Sequence, residues 1–386
     1  MNFEFDETQQ LIVKTAKAFA EKEILPLAEK IDKECYFPEN IFAKLAQVGF
    51  LGVNISPEYG GVGADILSAV LIVEQLARGS ASVGLSYGAH DNLCAYNIYK
   101  NANETQKKQY LPDLCAGKKI GALGLTEPDA GSDAVNIKTT AVKKGDKYIL
   151  NGTKRFITNA PIADIVLIYA KTEPSMGARG ISAFIVDRNF KGFFTPNKLD
   201  KMGHRGSPTG DVVLEDCEVP EENLLGKENE GIRIMMNGLD VERAFFAGGA
   251  IGTAQVAFEL ALKYSKERIQ FGKPIAEFQL IQAKLADMYT QIESSKLLCY
   301  KAALLADKSQ RGGKGSELHR IAAAAILMAA EVCQKVCDQA LQIHGGYGYT
   351  TEYPINCLYR DSRLMTIGAG TSEIRRLIIA RELLEM

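Results

Sequence analysis

The 386-residue chain contains no tryptophan and only four histidines. His90, His204, His319 and His344 lie too far apart to resemble a metal-ligand set, so no metal is expected and structural roles are assigned to them. Cysteine is dilute. The eight thiols, at 35, 94, 115, 217, 299, 333, 337 and 357, do not form a disulfide framework in a chain this long. Cys333 and Cys337 share one face of an expected helix, and without a second ligand pair nearby they read as core packing. Excess charge is also lacking: 45 Lys and Arg face 47 Asp and Glu, a net charge of -2. That excludes a general nucleic-acid binder, which needs a basic footprint, but not a local basic pocket for one phosphorylated ligand. The longest strongly apolar run, Ile321 to Ala330, is too short to span a bilayer, so no membrane insertion is expected. MNFEFDETQQ at the start lacks a signal-peptide core and an Arg-rich transit pattern. With reduced thiols, this gives the expectation of a prokaryotic cytoplasm. The Gly-x-Gly-x-x-Gly fingerprint and the P-loop are missing, so a nucleotide cofactor would bind by another route.

What is present is ordinary globular composition, 46% hydrophobic and 24% charged, at a length that suggests two or three domains. From Asp6 to about Gly117 apolar residues recur at helical spacing, as at Leu11, Ile12, Ala16 and Phe19. The texture then changes. KYILNG (147–152) meets TKRFITNA (153–160) around Asn151-Gly152, which predicts a hairpin. Residues 163–172, 180–189 and 211–220 follow as short β-rich runs between turns. After Gly231 the helical period returns in segments 240–267, 277–308 and 316–343, long enough for a bundle. The predicted domains are 1–121 (α-helical), 122–230 (β) and 231–386 (helical bundle).

Four segments could carry chemistry. LGLTEPDAGSD (123–133) offers hydroxyls and close-approaching amides suited to a flavin edge or a phosphate, or is an ordinary polar turn. RIQFGKPIAEFQ (268–279) combines Arg268 with Gln270 and Gln279, and QIHGGYGYT (342–350) ends a long helix in paired glycines. Each could be a cap and a turn, or hold a pyrophosphate. GLDVERAFFAGG (238–249) sets Glu242 near a helix start among Val241, Phe245 and Phe246. A carboxylate among apolar rings resists ionisation and can serve as a base, while the plain alternative is a solvated surface glutamate.

Together and in this order, these segments resemble the acyl-CoA dehydrogenase family from end to end, through TSEIRRLIIARELL (371–384). VGLSYGAHDNLC (83–94), KLDKMGHRGS (198–207) and IGAGTSEIRRL (367–377) resemble its isovaleryl branch most. The resemblance implies an N-terminal all-α domain, a middle β-sandwich or barrel domain and a C-terminal four-helix bundle, assembled as a homotetramer with FAD. It implies that a carboxylate takes the α-proton of an acyl-CoA while the β-hydrogen leaves as hydride to the flavin, giving a trans-2-enoyl-CoA. An electron-transfer flavoprotein then accepts the electrons. Residue by residue it puts Leu125, Thr126 and Ser132 along the flavin, with Ser132 also near substrate. Phe156, Ile157 and Thr158 lie against the ring, Phe156 standing where many relatives have tryptophan. Arg268, Gln270, Phe271, Gln279, Gln342, Gly345, Gly346, Thr371, Ser372 and Glu373 hold the rest of FAD, partly across subunits. Ala178, Arg179, Arg233, Asp240 and Arg243 fall on the CoA side, and Ala369 and Gly370 at the acyl group.

Most of the family carries its catalytic glutamate immediately before a Gly-Thr pair. That position here is Ala369, which cannot accept a proton, whereas the isovaleryl and long-chain branches use the helix that contains Glu242. The expected function is therefore dehydrogenation of a short branched acyl-CoA with Glu242 as base, in a pocket closed by residues near 91–95 and 242–246. Asp91 stands where isovaleryl-type sequences usually have serine. It reads either as the N-cap or first-turn acid of a predicted helix, or as a second carboxylate in the acyl pocket suited to an alicyclic or other acyl group. A flavin oxidase and a non-catalytic acyl-CoA-binding protein on the same fold are the remaining alternatives.

Overall fold

The computed structural model describes residues 4–309 and 312–385. The first block is helical: α1 (Glu7–Phe19), α2 (Ala28–Lys33), α3 (Ile41–Gln47), α4 (Ile66–Gly79), α5 (Ala81–Gly88), α6 (Asn97–Asn101) and α7 (Glu104–Cys115). Side chains set its boundaries. Asp6 and Gln9 form a capping box on α1, Asp65 caps α4 through Ser68 N, and Asn103 with Gln106 caps α7. Between α5 and α6 the chain stays helical through a wider π-type stretch, Ala89–Tyr96, so residues 81–101 make one continuous rod.

The middle block holds β1 (Gly121–Gly124), β2 (Thr140–Lys144), β3 (Lys147–Thr158), β4 (Ile165–Lys171), β5 (Ile181–Asp187), β6 (Phe193–Phe194), β7 (Thr209–Pro220) and β8 (Leu224–Leu225). They form one eight-stranded sheet in the order β6-β7-β3-β2-β4-β5-β8, with β1 parallel to β4. The sheet curls over itself. Tyr148 and Leu150 of β3 and Val212 and Leu214 of β7 share one core with Val166, Ile168 and Phe184 of β4 and β5. The opposite face of β4, at Ile165, Leu167 and Tyr169, packs on Cys94, Ile98 and Leu111 of the helical block. Strand alternation thus gives β4 two buried faces.

The hairpin predicted at Asn151-Gly152 is not there. β3 runs straight through it, and the turn lies at Gly145-Asp146, where Lys144 pairs with Lys147. At 150–152 the ladder to β7 slips: Leu150 pairs with Cys217 but Gly152 with Leu214, leaving Asp216 bulged at φ 49°. Asn151 bridges the bulge through its Oδ1, which accepts from Asp216 N at 2.8 Å. Gly152 is needed for space and conformation, because at φ 152° a Cβ would lie 2.4 Å from Thr139 Oγ1. An Asn-Gly pair marks a turn only where no neighbouring strand takes up its backbone.

The last block is built on α8 (Gly231–Glu267), α9 (Gln279–Lys308) and α10 (Glu317–His344), with α11 (Gly346–Tyr349), α12 (Ile355–Met365) and α13 (Ser372–Leu383) following. α8 begins nine residues before the predicted 240, so Glu242 sits three turns inside it and not near its start. By length and composition α8 could cross a membrane, yet its Ala244–Ala261 stretch lies at the centre of the helical core. All eight cysteines are free; Cys333 and Cys337 are buried in α10.

Candidate active site

Where the three blocks meet there is a cavity of about 850 Å³. α4 and α5 form one wall, the 125–135 loop and the end of β3 a second, α8 a third, and the α12–α13 turn the fourth. Leu125, Thr126, Ser132, Phe156, Ile157, Thr158, Glu242, Arg243, Ala369, Gly370 and Thr371 all line it, from segments far apart in sequence.

A buried ion pair sets the geometry of the second wall. Glu127 accepts from Lys154 Nζ at 2.7 Å, from Thr139 N at 3.0 Å and from Lys138 N at 2.5 Å. Lys154 Nζ also donates to Leu125 O at 3.2 Å, and Arg155 N to Thr126 O at 2.8 Å. One carboxylate therefore closes the 125–139 loop and ties it to the strand carrying Phe156–Thr158. Burial pulls the Lys154 ammonium down to about 8, against the opposing pull of Glu127. Phe156 takes φ 61° and stays exposed, with the Arg155 guanidinium 5.1 Å from its ring centre.

Glu242 is half-buried and opens onto the cavity. Burial pushes its carboxyl up to about 7, opposed by Arg243 and Arg375. Arg375 is fully buried and donates to Met365 O at 2.9 Å and Gly368 O at 2.6 Å. It thereby holds the turn in which Ala369 (φ 55°) and Gly370 (φ 89°) are both left-handed. Beside Glu242, Arg243 Nη1 donates to Asp240 Oδ1 at 2.7 Å, His319 Nδ1 lies 2.7 Å from the same oxygen, and Gly313 N donates to Oδ2 at 2.6 Å. Asp240 thus lies behind the wall and does not line the cavity. Its part is to fix Arg243 and His319, which do.

Asp91 corrects one expectation, and other expected site residues lie away from the cavity. Asp91 neither caps a helix nor lines the cavity: it is fully buried within the 81–101 rod and accepts from Gly52 N at 2.5 Å. The wide π-type turn aims it at the 50–52 loop. Of residues 91–95 only Leu93 reaches the cavity, which instead continues along Gly84, Ala81, Ala77 and Gly249. Ala178 and Arg179 sit in a turn between β4 and β5, and Arg233 pairs with Glu230 at 2.8 Å; none lines the cavity. Arg268, Gln270, Phe271, Gln279, Gln342, Gly345 and Gly346 do not line it either. Arg268 follows the end of α8, about 39 Å along that helix from Glu242 at about 1.5 Å per residue. There its guanidinium lies 5.3 Å from the Tyr347 ring centre, while Phe271 is 93% exposed. Glu373 borders a second, open polar cavity of about 600 Å³ that shares Thr371 with the first.

Sequence reasoning missed Glu127, Lys154, His319 and Arg375. An inward lysine two residues before Phe156 was the available signal, since a buried cation needs a carboxylate and Glu127 lay in the singled-out loop. Among the described residues no cluster suits a metal.

Models of the acyl-CoA dehydrogenase N-terminal, middle and C-terminal domains match residues 6–118, 122–217 and 229–384. The chain belongs to the acyl-CoA dehydrogenase family. It is 45% identical to a mitochondrial isovaleryl-CoA dehydrogenase of Solanum tuberosum, over 98% of this chain and 91% of that protein. A 3-(aryl)acrylate reductase of Clostridium sporogenes is 44% identical over 99% and 100% of the two chains. The solved butyryl-CoA dehydrogenase from Megasphaera elsdenii, 40% identical, covers 100% of both chains with a TM-score of 0.96. The chain is thus an oxidoreductase of an FAD-dependent family. Its residues fit that cofactor. Thr126, Ser132 and Thr158 bring hydroxyls to the wall that also carries Leu125, Phe156 and Ile157. Ser372 Oγ, at the N-terminus of α13, is buried with no partner among the described residues.

Proposed function

We propose that this acyl-CoA dehydrogenase uses Glu242 as the α-proton base and acts on branched acyl-CoA thioesters of the isovaleryl type. One observation carries the assignment of the base. Among the described residues lining the cavity the only carboxylates are Glu242 and Asp133, and Asp133 is exposed on its loop. Glu242, desolvated on the wall of the cavity, has the raised pKa that suits a base working near neutrality. The branched acyl group is supported by the pairing of Glu242 with Ala369 and by the isovaleryl-CoA dehydrogenase among the relatives.

FAD would be held by Leu125, Thr126, Ser132 and Phe156–Thr158 at its ring, and by Thr371, Ser372 and Glu373 further along. When bound, the flavin accepts the β-hydrogen as hydride. The chain's own residues do the rest. Glu242 takes and holds the α-proton, while Arg243, fixed by Asp240, keeps a positive charge beside it. The apolar walls exclude water from a carbanion-like transition state.

Arg268, Gln270, Phe271, Gln279, Gln342, Gly345 and Gly346 would serve the same cofactor from a second copy. About 39 Å of helix separates Arg268 from Glu242, more than one extended dinucleotide spans. A homotetramer and an electron-transfer flavoprotein acceptor complete the proposal. Anaerobic isovaleryl-CoA should bleach the flavin of the wild type but not of Glu242→Gln, which keeps its FAD. Bleaching at an undiminished rate in the variant would reassign the base.

A further inference from the structure

We infer, on the reading above that FAD lies along Phe156–Thr158, that Arg155 and Asp211 form a clamp holding the Phe156 ring toward the cavity from outside it. Both are then positioning residues for the flavin, one step removed from the wall that meets it.

The backbone at Phe156 is strained. β3 and β7 pair Lys154 with Val212 and Ile157 with Gly210, so Arg155 and Phe156 together face Asp211 alone. Two residues against one make a β-bulge, a device that re-aims side chains at the edge of a site. Phe156 takes the left-handed region there, at φ 61°. That region favours glycine, and a residue with a Cβ stays in it only where its surroundings over-determine the conformation. Burial of the ring does not supply the restraint, because Phe156 is 62% exposed. What the bulge supplies is direction: the ring lines the cavity next to Ile157 and Thr158.

Arg155 provides the restraint. A regular strand sends adjacent side chains to opposite faces. The bulge instead lets Arg155 lie beside its neighbour, with the guanidinium 5.1 Å from the Phe156 ring centre. Arg155 does not line the cavity, so it meets the ring from outside. Its Nη1 donates to Asp211 Oδ2 at 2.9 Å, and among the described residues it is the one cation paired with that carboxylate. Asp211 is buried and is fixed in turn: Oδ2 also accepts from Asn197 Nδ2 at 3.0 Å, and Asp211 N donates to Asn197 Oδ1 at 2.9 Å. A buried carboxylate with a single cation holds that cation in place, since losing it would leave the charge uncompensated. Arg155 N donates to Thr126 O at 2.8 Å, so the same residue also ties the bulge to the 125–135 wall. The chain of contacts runs Asn197, Asp211, Arg155, Phe156 and ends at the cavity.

The test is tryptophan emission from Phe156→Trp holoenzyme. The native chain has no tryptophan, so this variant carries a single one, at the site. An excited indole in contact with flavin gives up an electron to it and stays dark, whereas one swung away from the cavity emits. Emission from the FAD-loaded parent should be almost fully quenched. Adding Arg155→Met or Asp211→Asn should raise the residual emission about fivefold, the factor equivalent to about 1 kcal/mol of lost cation–π contact. Arg155→Lys, which keeps the charge but not the planar face, should fall between. The Arg155 side chain is 37% exposed, so its variants keep the fold; should Asp211→Asn not fold, the Arg155 variants decide. A quenched parent whose emission the Arg155 variants leave unchanged would overturn the clamp alone. Failure of the reading beneath it looks different: a bright tryptophan in the FAD-loaded parent would remove the flavin from residue 156, and the clamp with it.

Discussion

The pKa of Glu242 makes a quantitative claim about rate. Only the carboxylate form can accept the α-proton, and burial has moved its titration from 4.5 to about 7. With a pKa near 7, the ionised fraction is about 1% at pH 5 and about 90% at pH 8. The second-order rate of flavin bleaching at sub-saturating acyl-CoA, which reports the free enzyme, should therefore climb roughly 90-fold across that interval, with a single bend near pH 7. An unperturbed glutamate at 4.5 would give a rise of only about 1.3-fold. The assay is anaerobic stopped flow at fixed ionic strength, with acyl-CoA kept well below saturation at each pH so that the free enzyme's titration sets the slope. Arg243 and Arg375 both oppose the upward shift. Arg375→Lys, which keeps the charge but loses the two-carbonyl grip on Met365 and Gly368, should move the bend by less than Arg375→Met, which should move it upward. A profile flat to within twofold from pH 5.5 to 8 would refute the reasoning, since it would mean that the proton goes to a group ionised throughout.

Two further perturbations separate positioning from packing. Asp91 is a neutral-leaning acid, its pKa raised from 3.8 to about 7 by burial. The raised value means that its contribution to stability is complete below about pH 3.8 and is lost as pH rises through 7. Asp91→Asn keeps an oxygen for Gly52 N, so it should melt higher than the wild type at pH 8, by more than it does at pH 5. Its acyl-CoA preference should not change, and a changed preference would put Asp91 back in the acyl pocket. Lys154→Met leaves the Glu127 carboxylate buried without its cation, a loss of about 3–5 kcal/mol that should appear in urea unfolding. Glu127→Gln combined with Lys154→Met should recover most of that loss, because no unpaired charge remains. If the double variant is no more stable than the single, the pair is not the clasp described.

The order helix, sheet, helix was legible because period and length carry it: α9 and α10 fall within two residues of their predicted bounds. The middle domain was less so. β1 and β2 were not predicted, being four and five residues long, and Asn151-Gly152 mimicked a turn while serving a bulge. Segments 123–133 and 238–249 stood out by their residue types, while Phe156–Thr158 and the roles of Leu125, Thr126 and Glu242 came only from the family resemblance. Neither route reached Arg375 and His319. Their importance lies in partners reached across the fold, Gly368 O and Asp240, and a single sequence carries no trace of such distances. Asp91 failed because no helix begins at it: the rod runs unbroken through 81–101, so the predicted cap has no helix end to serve.

That Glu242 and Ala369 can stand in for one another as the place for a base follows from what the cavity fixes. The position to be occupied is a point near the substrate α-carbon, and two unrelated backbones line the space around it: the middle of α8 and the turn before α13. Residue 369 is left-handed, at φ 55°, a strain that alanine bears there as any side chain with a Cβ would. Moving the carboxylate onto α8 puts it on regular helix and leaves alanine on the turn. Arg375 supports the turn in either arrangement, because it bonds the carbonyls of Met365 and Gly368 and not the side chain between them. The helix also changes what the acyl group meets. A base on α8 points across the cleft from the same face that carries Phe246 and Gly249, so the residues next to the base and those beyond it are set by one rigid element. Substitutions along that face should therefore change acyl-group preference and proton transfer together, the effect on proton transfer falling with distance from Glu242.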